Sequence, residues 1–228
     1  MVINGSNSKW TNVTSGIPRG SVLGPILFTI YINDLPDIVQ NVAKLFADDI
    51  KLYATVNNTN DEIKLQGDID RLMQWSKDWL LTFNKSKCKH VHFGPPNNTK
   101  YQMGGDIITQ STEEKDLGIT IDEKLKFLIH INNQTKKANQ RLGMIKRSFT
   151  YMDKNMFTTL YKSIVRPHLE YGSNIWSVMY KKEAIQIEKV QRRATKLVKN
   201  IQHLSYSDRS RYLGLPSLQY RRLELLTI

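Results

Sequence analysis

Lys44-Leu45-Phe46-Ala47-Asp48-Asp49-Ile50-Lys51-Leu52-Tyr53 is the stretch on which the reading of this chain turns. Apolar residues flank two adjacent aspartates, the pattern of a tight β-hairpin with its acids at the tip. Phosphoryl transfer needs divalent cations between an attacking oxygen and the phosphate it attacks, and hard cations take carboxylate oxygens. A hairpin tip would hold Asp48 and Asp49 at the edge of a sheet, where a hydrated metal and a long substrate can both approach. A solvated Asp-Asp turn is the plainer alternative, and on the local sequence alone it is the favoured one.

Upstream, Ser15-Gly16-Ile17-Pro18-Arg19-Gly20-Ser21 forms a loop dense in turn residues. Gly24-Pro25 then opens a helix, because the N–H that proline lacks would be unpaired in a first turn anyway. Ile26, Leu27, Ile30 and Tyr31 follow at helical spacing until Asn33-Asp34-Leu35-Pro36 ends the element. Downstream, Thr59-Asn60-Asp61-Glu62 fits a capping box with the threonine as cap. Leu65, Ile69, Leu72, Trp75 or Ser76, and Trp79 mark one face of the helix it starts. Residues 88–121 read as strands. His90-Val91-His92-Phe93 is stopped by Gly94-Pro95-Pro96, a hairpin turns on Gly104-Gly105, and Leu117, Ile119 and Ile121 alternate on one face of a further strand. From about Lys124 the pattern is helical: Ile131, Ala138, Leu142 and Ile145 share a face, a second helix over 155–165 ends at Pro167, and a third covers 182–199. A boundary near residue 123 divides a mixed α/β part from a basic helical one.

Charge sharpens this division. Four basic residues in the first 60 positions (Lys9, Arg19, Lys44, Lys51) are balanced by four acids (Asp34, Asp37, Asp48, Asp49), so the whole net charge of +12 lies in residues 61–228. A neutral part with a carboxylate pair, followed by a basic remainder, suits a protein that handles a polyanion. The apolar-rich run over 22–32 is broken by Gly24, Pro25 and Thr29, which excludes a membrane span there. The N-terminus has no basic segment leading into an apolar one, and a single cysteine forms no internal disulfide. The expected setting is intracellular, nuclear or cytoplasmic, rather than secreted. Cys88, His90 and His92 alternate as zinc ligands on a strand would, but a fourth ligand and finger spacing are missing, so ordinary strand residues are the better reading. Tyr151, Tyr161, Tyr171 and Trp176 are read as core residues before base-stacking ones.

Larger sequence words carry a resemblance. Ser15-Gly16-Ile17-Pro18-Arg19-Gly20-Ser21-Val22-Leu23-Gly24-Pro25-Ile26-Leu27-Phe28, Tyr31-Ile32-Asn33-Asp34-Leu35-Pro36 and Phe46-Ala47-Asp48-Asp49 together resemble reverse transcriptases of non-LTR retrotransposons, most strongly the jockey and CR1-like groups. The likeness continues through Phe83-Asn84-Lys85-Ser86-Lys87-Cys88, Glu114-Lys115-Asp116-Leu117-Gly118-Ile119 and Val165-Arg166-Pro167-His168-Leu169-Glu170-Tyr171. It extends to Val190-Gln191-Arg192-Arg193-Ala194-Thr195-Lys196, Leu204-Ser205-Tyr206 and Tyr220-Arg221-Arg222. Each word alone is weak; their order and spacing over most of the chain are specific.

The resemblance implies an α+β fold: an incomplete polymerase palm (motif B helix, acidic β-hairpin, small antiparallel sheet) followed by a mostly α-helical thumb. It implies a polar leader over 1–12, a partial palm over 13–123 and a basic thumb-like region over 124–228. Asp48 and Asp49 match the catalytic, Mg²⁺-holding pair of motif C, and Lys87 matches the motif D lysine near the leaving pyrophosphate. Gly16, Pro18, Arg19, Gly20 and Ser21 match the motif B loop under template and nucleotide. Leu117 and Gly118 match the primer grip. The implied partners are an RNA template with a DNA primer, and deoxynucleotides; no membrane is implied. Arg19 departs from the family's usual glutamine. Motif A, with its own aspartate, the fingers and the endonuclease portion find no counterpart, so RNA-directed DNA synthesis is expected by lineage and little of it from this chain alone. The alternatives are a non-catalytic basic nucleic-acid-binding remnant and the inert product of a truncated element.

Overall fold

The computed structural model describes residues 2–3, 6–7, 12, 16, 20–176 and 181–226. The chain divides into two compact units, Met1–His90 with Asn97–Gln110, and Val91–Pro96 with Ser111–Ile228.

In the first unit a short antiparallel pair, β1 (Val2–Ile3) and β2 (Ser6–Asn7), precedes helix α1 (Leu23–Tyr31). A 3-10 turn at Leu35–Ile38 leads into β3 (Val42–Phe46), which pairs antiparallel with β4 (Asp49–Tyr53). Helix α2 (Thr59–Asp78) follows. Its cap lies one residue before the threonine that the sequence pattern favours. Asn58 accepts the Asp61 amide at 3.1 Å, while the Asp61 carboxylate accepts the Asn57 amide at 3.0 Å. Glu62, the expected reciprocal partner, instead accepts from Thr99 and Asn97.

The apolar stripe of α2 works in two directions. Leu72 and Trp75 join Ile32 and Leu35 in one cluster, with Phe28, Leu45, Ile50 and Leu52 packed against it. Ile69 joins Tyr101, Met103 and Ile108 in another. Tyr31 closes the first cluster by edge-on contact with Trp79, centroids 5.2 Å apart, while Trp79 stacks on Trp75 at 5.8 Å. The opposite face of α1 stays bare, with Leu23, Ile26, Leu27 and Ile30 all exposed.

Short strands complete this unit: β5 (Lys89–His90), β6 (Gln102–Met103), β7 (Asp106–Ile107) and β8 (Thr109–Gln110). β6 and β7 form the hairpin expected at Gly104-Gly105, whose φ angles are 58° and 87°. The strand expected over 90–93 ends at His90, where β5 pairs in parallel with β8. Among the described residues the strands pair only in twos, so the small antiparallel sheet expected of the fold takes the form of separate ladders, one of them parallel.

The second unit opens with a hairpin of β9 (Glu113–Asp116) and β10 (Ile119–Asp122), then α3 (Leu128–Ser148). Leu117 falls in the hairpin's turn rather than on the strand face assigned to it from the alternation. The Asp122 carboxylate accepts the amides of Lys124 at 3.1 Å, Lys126 at 3.2 Å and Phe127 at 2.6 Å, and so feeds the chain into α3. α4 (Lys154–Leu160) continues as a π-turn over Tyr161–Val165. Pro167 does not merely stop that helix; it sits in the first turn of α5 (Pro167–Glu170), where its missing donor is harmless. α6 (Lys181–Ala194), two 3-10 turns, α7 (Tyr206–Leu213) and α8 (Leu218–Leu226) follow.

Ile131, Ala138, Leu142 and Ile145, the face read from the sequence, pack in one core with Phe157, Tyr161, Val165, Leu169, Trp176, Ile187 and Val190. Tyr151 and Tyr171 stay exposed, unlike Tyr161 and Trp176. A polar chain threads this core. Tyr161 donates to Gln191 at 2.8 Å, and Gln191 donates to the Tyr206 hydroxyl at 2.9 Å. Tyr206 in turn donates to Glu188, whose other oxygen accepts the Leu218 amide at 3.0 Å. Burial, followed by the hydrogen bond to Glu188, raises the Tyr206 phenol, so it stays a donor. Among the described residues no helix is long and apolar enough to cross a membrane.

One buried acid ties α2 to the strand hairpin. Asp68 is fully buried and accepts the Gln40 amide at 2.8 Å, the Asn41 amide at 2.9 Å and the Asn41 side chain at 2.6 Å, with Arg71 as its ionic partner. Burial alone would raise this carboxyl, but the two backbone amides, Arg71 and Asn41 together hold it below its ordinary value. Its stabilisation is therefore whole above the unfolded value near about 4 and fades as the pH falls through the lower folded value. Asp68→Asn is expected to destabilise the protein by about 2–3 kcal/mol at neutral pH, with the deficit shrinking in acid. Urea unfolding of both proteins from pH 7 to 3 checks this.

Candidate active site

The β3–β4 hairpin turns in two residues, since Phe46 pairs with Asp49 and Leu45 with Ile50. Alternation then decides every side chain's face. Leu45, Ile50 and Leu52 point into the cluster with Phe28 of α1 and Ile32 just after it, so the helix that follows the glycine loop lies behind the acidic hairpin. Val42, Lys44, Phe46, Asp49, Lys51 and Tyr53 share the other face, with Asp48 in the turn. Both aspartates are exposed. Phe46 is 58% exposed and Tyr53 49%, so this outward face is an apolar and aromatic surface with two lysines paired across it and carboxylates at its end.

The turn itself is strained. Ala47 has φ of +50°, while Asp48 is not among the positive-φ residues, the pattern of a type II′ turn whose first central position favours glycine. An alanine there sets the direction of the two carboxylates at some conformational cost.

The carboxylate oxygens of Asp48 and Asp49 are chemically suited to a hard divalent cation, and their exposure leaves room for its water and substrate ligands. Among the described residues no group of three or more His, Cys, Asp or Glu side chains comes together to hold a metal. The zinc arrangement weighed for Cys88, His90 and His92 is therefore not formed. Cys88 donates to the Asn84 carbonyl, His90 meets Tyr101 edge-on, and His92 bonds the Pro95 carbonyl.

Of the loop residues read from the sequence, Gly16 and Gly20 have φ of 83° and 84°, with open space where a Cβ would stand. Another backbone could therefore come close at either position. Ser21 is half-buried, and Pro18 and Arg19 lie outside the described residues. Lys87 ends a 3-10 turn over Lys85–Lys87 and its side chain is exposed. Its neighbour Lys85 is committed elsewhere, 2.8 Å from Asp106 and 3.1 Å from the Gly104 carbonyl. Leu117 and Gly118 belong to the second unit, in the two-residue turn of its hairpin, with φ of 45° and 86°.

Sequence reading missed Asp68 and the outward lysines. Asp68 stands three residues after Leu65 and four before Leu72, inside the apolar stripe, and an acid in such a stripe is the signature of a hydrogen-bonded buried carboxylate. Lys44 and Lys51 were legible only once the register paired them.

Residues 1–131 match the family described as reverse transcriptase (RNA-dependent DNA polymerase). More than half of the chain lies inside that match, and with its relatives this shows that the chain belongs to the reverse transcriptases, of the non-LTR retrotransposon type. It is 30% identical, over 81% of its length, to the probable RNA-directed DNA polymerase from transposon BS of Drosophila melanogaster. It is 26% identical over 95% of its length to the RNA-directed DNA polymerase from mobile element jockey, and 27% identical over 82% to the probable enzyme of transposon X-element, both from the same fly. The chain spans 22%, 25% and 22% of these three relatives' lengths. No solved structure matches it.

Ala47→Gly is expected to stabilise the protein by up to about 1 kcal/mol, the relief of left-handed strain being partly offset by glycine's greater freedom when unfolded. A rise in the denaturation midpoint of the unit containing the hairpin is the check.

Proposed function

We propose that this chain is the palm-and-thumb portion of an RNA-directed DNA polymerase, with residues 13–123 as palm and 124–228 as thumb. The observation that carries the reading is the exposed pair Asp48 and Asp49 at a two-residue turn, backed by the helix that follows the glycine loop. In this reading Asp48 and Asp49 hold Mg²⁺, Asp48 as the more direct ligand. Bound there, Mg²⁺ would offset charge on the attacking primer 3′-hydroxyl and on the phosphate of the incoming deoxynucleotide.

The chain's own groups do the rest. Lys44 and Lys51 lie on the same face as Asp49, and draw the substrate's anionic backbone to that face. Lys87 supplies a cation for the leaving pyrophosphate. Gly16, Pro18, Arg19, Gly20 and Ser21 line template and nucleotide, the glycines allowing close backbone approach. Leu117 and Gly118 grip the primer, and the basic helices beyond them follow the RNA–DNA duplex.

A second reading, a non-catalytic nucleic-acid-binding remnant, is favoured by the net charge of +12, all of it in residues 61–228. The two predict different outcomes. Since no third acid joins the hairpin pair among the described residues, the 228-residue chain alone is expected to extend a DNA primer on an RNA template poorly. Substituted for its counterpart within the jockey polymerase, it should support Mg²⁺-dependent extension that Asp48→Ala abolishes. Extension that survives Asp48→Ala would overturn the catalytic reading. Duplex binding without any extension by the chimera would support the remnant.

A further inference from the structure

The second unit holds the β9–β10 turn with a device that the sequence did not announce. Leu117 and Gly118 both have positive φ, and for a bulky leucine that conformation is strained. Tyr171 meets this turn from the end of α5. Its hydroxyl donates to the Leu117 carbonyl at 2.8 Å, and its ring lies so near Gly118 that a Cβ there would stand 3.3 Å from Cε1. Tyr171 is 57% exposed, so its ring is not needed to fill the core.

The parts behind Tyr171 are fixed. The Trp176 indole donates to the Tyr171 carbonyl at 2.8 Å, and the Trp176 ring packs against buried His130, centroids 5.3 Å apart. His130 accepts the Thr120 amide at 3.2 Å, returning the linkage to the same hairpin. Gly172 has no room for a side chain, because a Cβ would fall 2.5 Å from Ile119 Cδ1. The turn therefore rests on a closed circuit of contacts between β10, α3 and the 171–176 segment.

What the turn borders explains why it is held. Gly118 is on the rim of a concavity of about 390 Å³, lined also by Lys115, Thr120, Asn133, Lys136 and Lys137, with no carboxylate among its lining residues. Lys137 lies near enough to His130 to lower its pKa, in addition to the larger effect of burial. We propose that Tyr171 is a positioning residue: it sets the Leu117-Gly118 turn at the rim of this lysine-lined concavity, which seats a backbone phosphate of the primer strand. This rests on the polymerase reading above and adds to it both the seat and the residue that holds it open.

The test is binding of a fluorescein-labelled DNA primer annealed to an RNA template, followed by anisotropy at several salt concentrations alongside thermal melts. The joint change Lys136→Gln and Lys137→Gln is expected to weaken binding and to reduce the slope of log affinity against log salt by about 2. Tyr171→Phe, which keeps the ring and removes the donor, is expected to weaken binding about fivefold and to reduce that slope by about 1, at an unchanged melting temperature. If the double lysine variant binds as the parent does, the concavity is no phosphate seat and this inference is overturned, while the polymerase reading is judged separately by the loss of extension in Asp48→Ala. If the lysine variant weakens binding while Tyr171→Phe changes neither affinity nor slope, the clasp is overturned and the seat stands. A Tyr171→Phe protein that melts earlier and keeps the parent slope also overturns the clasp, leaving a structural role alone.

Discussion

Side chains on a strand alternate with a period of two, so a hairpin closed by a two-residue turn has one register and therefore one inward face. In β3 and β4 that rule places Leu45 opposite Ile50 and sends both into the cluster with Leu72 and Trp75. A slip of β3 by one residue would bury Lys44 and Phe46 and expose Leu45. The candidate site of the first unit hangs from this register. The outward face, the carboxylates at its end and the docking of α1 behind it are consequences of which residues pair. Asp68 guards the same arrangement from the other side by holding residues 40 and 41, just before β3, onto α2.

The two units share one habit at their turns. Ala47 in the first hairpin and Leu117 in the second adopt backbone conformations that glycine would take more easily. Leu80, Leu125 and Phe127 also have positive φ, so the conformation is not confined to these two turns. In both hairpins the positive-φ residue falls in the motif that the family resemblance marks. The supports differ: the first turn is underpinned by apolar packing beneath it, the second by a hydrogen bond from an exposed tyrosine.

Local patterns carried most of what could be read in advance. The acidic hairpin, the Gly104-Gly105 hairpin, the start of α1 and the buried face of α3 all depend on neighbours within a few positions, and the structure has each of them. What was not legible depended on distant partners. Thr59 and Asn58 are both good caps, and only the approach of Thr99 and Asn97 to Glu62 removes the competitor's partner. The β5–β8 pairing joins residues some twenty positions apart in parallel, which no short-range rule announces. Leu117 obeys strand alternation and still lies in a turn, because Gly118 beside it and Tyr171 opposite it fix the reversal there. At the site, Asp48 and Asp49 were visible as a pair of adjacent acids, whereas the lysines sharing the outward face required a register.

The bare stripe of α1 has a practical consequence. Leu23, Ile26, Leu27 and Ile30 form an oily ribbon along a helix whose other side is already packed. Attraction between such ribbons grows on warming, since apolar hydration is entropic near room temperature. A preparation of this chain should accordingly stay clear in the cold and turn turbid reversibly as it is warmed, well before its interior melts.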